Sequence, residues 1–432
     1  MNTAGLSFDN IPPLRIPFGF FNTAPLFGIL AGAVLLVEPA ALESRWHPAM
    51  LAIVHLLTLG FAANIMLGAL CQVMPVVGSK AIPINYRQAL IVRIGVGAGA
   101  LLLAGFFVFY LPLLAYGAVL MLTLGLGLFV SLLALALIKA RPAGVTIVAI
   151  RFAALSVLIT LIAGGLLLWW RVSPGSAPAL LINTDQHAIW GTLGWGMLLV
   201  IGVSFQVIPM FHVAPDFPRW ATRGLPILLF SLLLINNLTQ GSIAAASAIG
   251  INIVIIIFCA IAALTLRRRK RKLVDYTVRF WQLGLGCIAL TMLIAIISKV
   301  VPTLSAQLPL TRLLGVLFGM GGIISIILGM LQKIIPFLIY LHLQRACLTR
   351  PEMLLQLPNM KQLVPTVRSR KQWQLHLGCL TGLLAALWLP VLTPLAALLM
   401  LADFGWLWWT LRCAYQRYFS ALPASTEPAT PA

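Results

Sequence analysis

The feature that most limits what this chain can become is a succession of long apolar runs that follow one another almost without interruption. Bounded by proline, glycine and charge, they fall at 17–37, 49–77, 88–110, 112–138, 147–170, 187–213, 224–239, 242–266, 278–301, 311–341, 373–391 and 394–415. A helix needs about 20 mostly apolar residues to cross the hydrocarbon core of a bilayer, and these runs are of that order. The sequence therefore predicts an all-α polytopic membrane protein with twelve transmembrane helices and the lipid bilayer as its first partner. Of 432 residues, 61% are hydrophobic and 9% charged, whereas roughly a quarter of a soluble domain is charged. No polar block remains to form a soluble catalytic domain.

Charge sets the expected orientation. Against 9 Asp+Glu stand 29 Lys+Arg, an excess that in a soluble chain would raise the question of nucleic acid. Here the cations sit in short loops and at helix ends, so no nucleic-acid partner is expected. With twelve spans, both termini and the even-numbered loops share one side, which receives every cation except Arg45, Arg171, Lys299 and Arg312. The run Arg267–Lys272 and the loop holding Arg345, Arg350, Lys361, Arg368, Arg370 and Lys371 dominate that side, which the positive-inside rule makes cytoplasmic. The expected plan is a cytoplasmic N-terminus over 1–16, one transmembrane domain over 17–415 and a disordered cytoplasmic tail over 420–432. The N-terminus lacks a basic start and a small-residue cleavage site, so the first run is expected to stay in a multi-pass protein of the bacterial inner membrane. Six scattered cysteines, with no CxxC pair, indicate neither a disulfide framework nor an iron–sulfur site.

A motif recurs at the ends of the second, sixth and tenth runs. Gly68 and Pro75, Gly202 and Pro209, and Gly329 and Pro336 each enclose six residues, and the prolines lie 134 and then 127 residues apart. That interval is four helices with their loops, so the chain is expected to contain three four-helix units, about 17–139, 145–266 and 277–415. Small residues such as Gly191, Gly194 and Gly202 in the sixth run and Gly315, Gly319, Gly322 and Gly329 in the tenth are expected to draw these three helices together. Gln72, Gln206 and Gln332 then form a candidate polar cluster, read either as interhelical hydrogen bonding or as a contact for a substrate or quinone.

Helix count, a cytoplasmic N-terminus and three four-helix units are also the architecture of the heme-copper oxidase catalytic subunit. The stretches His55–Val76 and His187–Ala221, the latter with Pro-Met-Phe-His-Val-Ala-Pro-Asp at 209–216, resemble that family's second and sixth helices, and the run around 317–336 resembles its tenth. Arg45-Trp-His-Pro48 ahead of a histidine-bearing second helix also resembles the NnrS family of heme- and copper-containing membrane proteins. These resemblances imply a respiratory-chain setting, heme b as cofactor and an electron-transfer or respiratory partner. The departures are specific. Where the oxidases carry a His-x-His in the tenth helix, this chain has Thr311-Arg-Leu-Leu-Gly-Val316, and the seventh run has no histidine. A copper of the oxidase type is therefore unsupported, and Asp403 is the only acidic residue well inside a run, so a proton-pumping terminal oxidase is not expected.

An ionisable side chain inside a bilayer is costly unless paired, ligated or facing the bundle interior. His55 lies about two turns into the second helix and His187 opens the sixth just after Asp185, which is a candidate to orient its ring. Both are candidate heme axial ligands and candidate metal ligands, weighed against ordinary packed histidines. In repeat register they differ by two residues, about 160° of rotation on a helix, which does not oblige them to face one cavity. His47, His212 and His342 are expected at the interfaces, and His376 at the start of the eleventh helix in a structural role. Met66, Cys71 and Met74 are soft atoms for cuprous copper or simply core. Arg93 and Arg151 are expected to snorkel. Three functions stay open at this stage: a heme-binding redox or sensor protein, with catalysis undecided; a transporter or permease; and a cofactor-free scaffold or assembly subunit.

Overall fold

A computed structural model describes all residues except 1–10, 79, 141–143, 174–182, 302, 304–308, 348–356 and 423–432. The tail expected over 420–432 thus lies almost wholly outside the described residues, as does most of the expected N-terminal segment. Every long element is a helix: α1 (Arg15–Val37), α2 (Pro48–Val76), α3 (Tyr86–Phe109), α4 (Pro112–Lys139), α5 (Val145–Val172), α6 (Thr184–His212), α7 (Arg219–Leu238), α8 (Gly241–Arg267), α9 (Tyr276–Val300), α10 (Leu310–Ala346), α11 (Thr366–Ala386) and α12 (Thr393–Ser420). Eleven of them are long and apolar enough to cross a membrane; α11 falls short because it opens on Thr-Val-Arg-Ser-Arg-Lys-Gln. The chain is an all-α protein of the kind that sits in a lipid bilayer as a multi-pass bundle.

The helices start where local chemistry provides for their first amide groups. Pro48 opens α2 behind His47, whose Nδ1 accepts from the Ala49 amide at 3.2 Å. Asn85 with Gln88 and Asn183 with Gln186 form reciprocal capping boxes on α3 and α6. Asp275 caps α9 by accepting from the Thr277 amide and hydroxyl. Between α7 and α8 the chain turns through Gly241 at φ +63°, while Asn236 donates to the Ala244 carbonyl and Asn237 accepts from the Trp190 indole.

Four of the described helices depart from a regular α-helical backbone, α4 over the five residues Thr123–Gly127 and three others over longer stretches. α2, α6 and α10 each contain an eight-residue π-helical stretch, at Leu56–Ala63, Trp190–Met197 and Leu317–Ile324. Each stretch ends twelve residues before the motif proline, so the irregularity recurs at the spacing of the Gly-x6-Pro motif. A π turn closes on the amide five residues ahead, a rare and wider turn than the α-helical one. Buried side chains just beyond two of the stretches add hydrogen bonds to them: Asn64 donates to the Gly60 carbonyl at 2.8 Å and to the Leu59 carbonyl at 3.3 Å, and the Ser325 hydroxyl lies 3.2 Å from the Met320 carbonyl. The helices continue through Pro75, Pro209 and Pro336, and α10 runs ten residues past its proline.

The motif glycines face elsewhere than expected. A Cβ on Gly68 would meet Phe20 and Phe21 of α1, one on Gly202 would meet Ala149 of α5, and one on Gly329 would meet Phe280 of α9. Two turns earlier, Gly60, Gly194 and Gly321 are pressed in the same way against Phe27, Ser156 and Cys287 of the same three helices. The glycines therefore seat α2, α6 and α10 on the helix that precedes each, and do not pull the three onto one another; Gly315 and Gly319 have open space around them. On their other sides the three helices do converge, around a cavity of about 150 Å³ walled among others by Met66, Val203, Ile327 and Trp281. The bundle is closed by α1, whose Gly28 and Gly32 lie against Phe404 and Leu401 of α12.

Candidate functional site

His55 is the last regular residue of α2 before its π stretch. Its Nδ1–H donates to the Leu51 carbonyl one turn back at 2.7 Å, which leaves Nε2 as the nitrogen with the free lone pair. This is how a ligating histidine is usually oriented, with the second nitrogen held by a carbonyl. Phe107 of α3 packs beside the ring, centroid to centroid at 5.2 Å.

His187 stands in the first turn of α6, and its ring centroid lies 6.4 Å from that of His55, with the planes 20° from parallel. That is well beyond face-to-face contact of two rings, about 3.5–4.0 Å between carbon atoms. A group held between the two rings would take one nitrogen from each. An offset of about 160° leaves open whether the two histidines meet, and the structure brings their rings near one another. Neighbouring helices present different faces to one another, so two rings that meet between them do not occupy equivalent positions.

The surroundings of His187 come from α5. A Cβ on Gly164 would lie 2.9 Å from His187 Cε1, so only glycine leaves room for the ring. The Thr160 carbonyl, one turn earlier, interacts with the ring, yet buried Nδ1 completes no hydrogen bond. Asp185 does not orient His187 as expected. It is ion-paired with Arg45 in the segment before α2, which ties the starts of α2 and α6 together at the end where the two histidines lie.

The donor set limits what can be held here. Among the described residues no third His, Cys, Asp or Glu joins the pair to make a three-ligand group. Zinc in a structural site takes four protein ligands and in a catalytic site three. A heme brings its own four equatorial nitrogens and asks the protein only for axial ligands. Two neighbouring imidazoles, one with its Nδ1–H committed to a carbonyl, are the residues that would hold such a group. Phe107 of α3 packs against the His55 ring and Gly164 of α5 against the His187 ring.

The glutamine cluster is divided. Gln72 and Gln206 line the cavity between α2, α6 and α10, and Gln72 Nε2 is buried without a partner. Gln332 lies apart, in a small space shared with Arg368 and Gln372, its amide atoms buried and unpartnered. Cys71 and Met74 are buried in the core, and Met66 forms cavity wall.

The remaining histidines are deeper than expected. His47 is the interfacial cap described above, but His212 and His342 are buried. The His342 nitrogens lie 2.9 Å from the Leu338 carbonyl and 3.1 Å from the Pro12 carbonyl, fastening the N-terminal segment to α10. His376 is three turns inside α11, because the helix begins at Thr366 and not near 373, and it contacts Asp403 and Ser325. The cue available in the sequence is Asp403, a lone intramembrane acid that requires a partner. Arg151 donates to the Leu137 carbonyl at 2.8 Å, and Arg93 lies across Gly19 of α1.

Compared with family models and with curated proteins, the chain matches none.

Proposed function

We propose that this chain is a heme b-binding redox or sensor protein of a bacterial inner membrane, with His55 and His187 as the axial ligands. The observation that carries the proposal is the facing pair of rings, 6.4 Å apart, with the His55 Nδ1–H committed to the Leu51 carbonyl. A heme bound there would supply a one-electron ferric/ferrous couple. What the chain's own residues do is hold the two imidazoles at a set distance, fix the His55 tautomer and exclude water with Phe107 and the α5 face. With both His55 and His187 as ligands, a bound heme would supply electron transfer with a respiratory partner and not binding of oxygen.

In the same reading the chain is three four-helix units on a plan like that of the heme-copper oxidase catalytic subunit, with both termini cytoplasmic. Three features recur at one register and support it: the motif glycine on the preceding helix, the second glycine two turns earlier, and the π stretch. The basic loops lie at the end where α2, α6 and α10 finish, and the positive-inside rule makes that end cytoplasmic.

The test is to express the chain in a heme-replete bacterial host, purify it in mild detergent and record oxidised and dithionite-reduced visible spectra with a pyridine hemochrome assay. A stoichiometric b-type heme with a low-spin spectrum, lost or converted in His55→Ala and His187→Ala, is expected. A colourless, folded protein would overturn the proposal and leave a transporter or a cofactor-free scaffold, and an unchanged spectrum in both variants would overturn the assignment of His55 and His187 as ligands.

A further inference from the structure

The cavity between α2, α6 and α10 lies on the far side of the π stretches from the histidine pair. Its wall begins at Ile65, Leu199 and Ile326, each two residues past the end of its π stretch, and runs toward the motif prolines as far as Val76, Met210 and Leu341. On α2 that is about 16 Å of helix. Trp281 of α9 and Ile11 of the N-terminal segment complete the wall around a volume of about 150 Å³. His55 and His187 precede the π stretches and line no part of it. Val76 and Gln206 of the wall are exposed, which puts the mouth at the proline end.

The chemistry of the wall is uneven. Among the described residues no charged side chain lines the cavity, and its polar side chains are Ser204, Trp281, Gln72 and Gln206. Two of these are already committed: the Ser204 hydroxyl donates to the Ile201 carbonyl at 2.8 Å, and the Trp281 indole N–H donates to the Met330 sulfur at 3.1 Å. The two glutamines remain, each three residues before its motif proline, whereas Gln332 stands four residues before Pro336. That shift of one residue turns it by about 100° and takes it out of the cavity. Gln72 Nε2 is buried and has no acceptor. An amide N–H that has left water for an apolar wall is costly until an acceptor meets it.

These features select an occupant. A charged molecule would sit against apolar walls without a counter-ion, which is unfavourable. Ordered water needs several polar partners, and the inner wall around Met66, Val203 and Ile327 offers none. An apolar cavity of this size stays dry and takes a molecule as large as benzene. The Gln72 amide adds one requirement, an acceptor on that molecule. We propose that the cavity binds an uncharged, single-ring compound bearing a carbonyl group, its ring among Met66, Val203 and Ile327 and its carbonyl oxygen accepting from Gln72 Nε2–H. Binding makes and breaks no covalent bond, and it does not depend on the chain holding heme.

The site is tested by fluorine NMR on the full chain in phosphatidylcholine nanodiscs with two probes, para-fluoroacetophenone and para-fluorocumene, the second having a methyl group where the first has its carbonyl oxygen. Both are expected to give a saturable bound resonance, with the ketone about tenfold tighter, the effect of one hydrogen bond of this kind. Gln72→Leu is expected to erase that preference and leave fluorocumene binding unchanged, and Val203→Phe to fill the space of the ring and abolish both resonances. Gln72→Leu decides the matter even if Val203→Phe fails to fold. The absence of a saturable resonance with either probe, which is the result if lipid acyl chains fill the cavity, would overturn the proposal. Equal affinity of the wild type for the two probes, or a ketone preference that survives Gln72→Leu, would overturn it as well. His55→Ala and His187→Ala should leave both affinities unchanged, so a failure of the heme reading is distinguishable from a failure of this one.

Discussion

Arg45 and Asp185 form an ion pair across 140 residues of sequence, joining the segment ahead of α2 to the first turn of α6. Those are the two helices that carry His55 and His187, and the pair lies at the end where the histidines face each other. Their side chains are 35% and 65% exposed, so the pair contributes little to global stability, about 0–1 kcal/mol for an exposed ion pair. Its effect is on how firmly two helix ends are held in register.

It follows that Asp185→Asn should change the thermal unfolding midpoint by no more than a degree or two, about what a fraction of a kcal/mol gives in a chain of this size, while loosening the histidine pair. On the proposed ligation, heme transfer to apomyoglobin measures the second effect, and a several-fold faster loss than in the wild type is expected. Equal rates in the two proteins would show that the ion pair plays no part in positioning His187.

Gly164 offers a sharper test, because a Cβ there would lie 2.9 Å from His187 Cε1. Gly164→Val must push the ring aside. On the proposed ligation it should convert the low-spin spectrum to a mixed or high-spin one, or remove the heme, whereas Gly165→Val, where a Cβ meets nothing within 4 Å, should leave the spectrum unchanged. If both variants kept the wild-type spectrum, His187 would not be the ligand.

These particulars show what the sequence makes legible. The number of helices follows from the apolar runs because a backbone in lipid has few other ways to satisfy its amides. The importance of Gly68, Gly202 and Gly329 is visible in their spacing, but spacing defines a face of a helix and not the neighbour it meets, and the neighbour is the preceding helix. His55 and His187 stand out as intramembrane histidines. Their meeting depends on which faces two packed helices turn to each other, which periodicity within either helix does not encode. The π stretches leave no recognisable composition in advance, and the polar start of α11 hides how deep His376 lies.

Asn64 is the side chain on which the π stretch of α2 most directly depends. It is fully buried, and its amide donates to the Gly60 and Leu59 carbonyls. Asn64→Leu keeps the volume and removes the donor, a loss of about 0.5–1.5 kcal/mol per hydrogen bond. A lower unfolding midpoint is expected, and with it a spectral change at His55, since that residue sits at the start of the stretch. A variant as stable as the wild type would mean that the π backbone is held by packing alone.

Asp275 links the stability of the basic end to pH. Burial opposes its charge, but the Lys333 ammonium at 2.7 Å and hydrogen bonds from Lys333 and Thr277 outweigh burial and hold the carboxyl below the usual carboxylate range. A group whose pKa is depressed by folding stabilises the folded state above its unfolded value, and that contribution is lost as pH falls through the folded value. The unfolding midpoint should therefore be flat near neutrality and fall below the ordinary carboxylate range, and Asp275→Asn should flatten that acid limb. Asp275→Ala should cost about 1 kcal/mol more at neutral pH, because it also removes the α9 cap. Lys333→Met should flatten the limb as Asp275→Asn does, since either change breaks the same pair. If the acid limb kept its slope in both Asp275→Asn and Lys333→Met, the acid sensitivity would lie with another carboxylate.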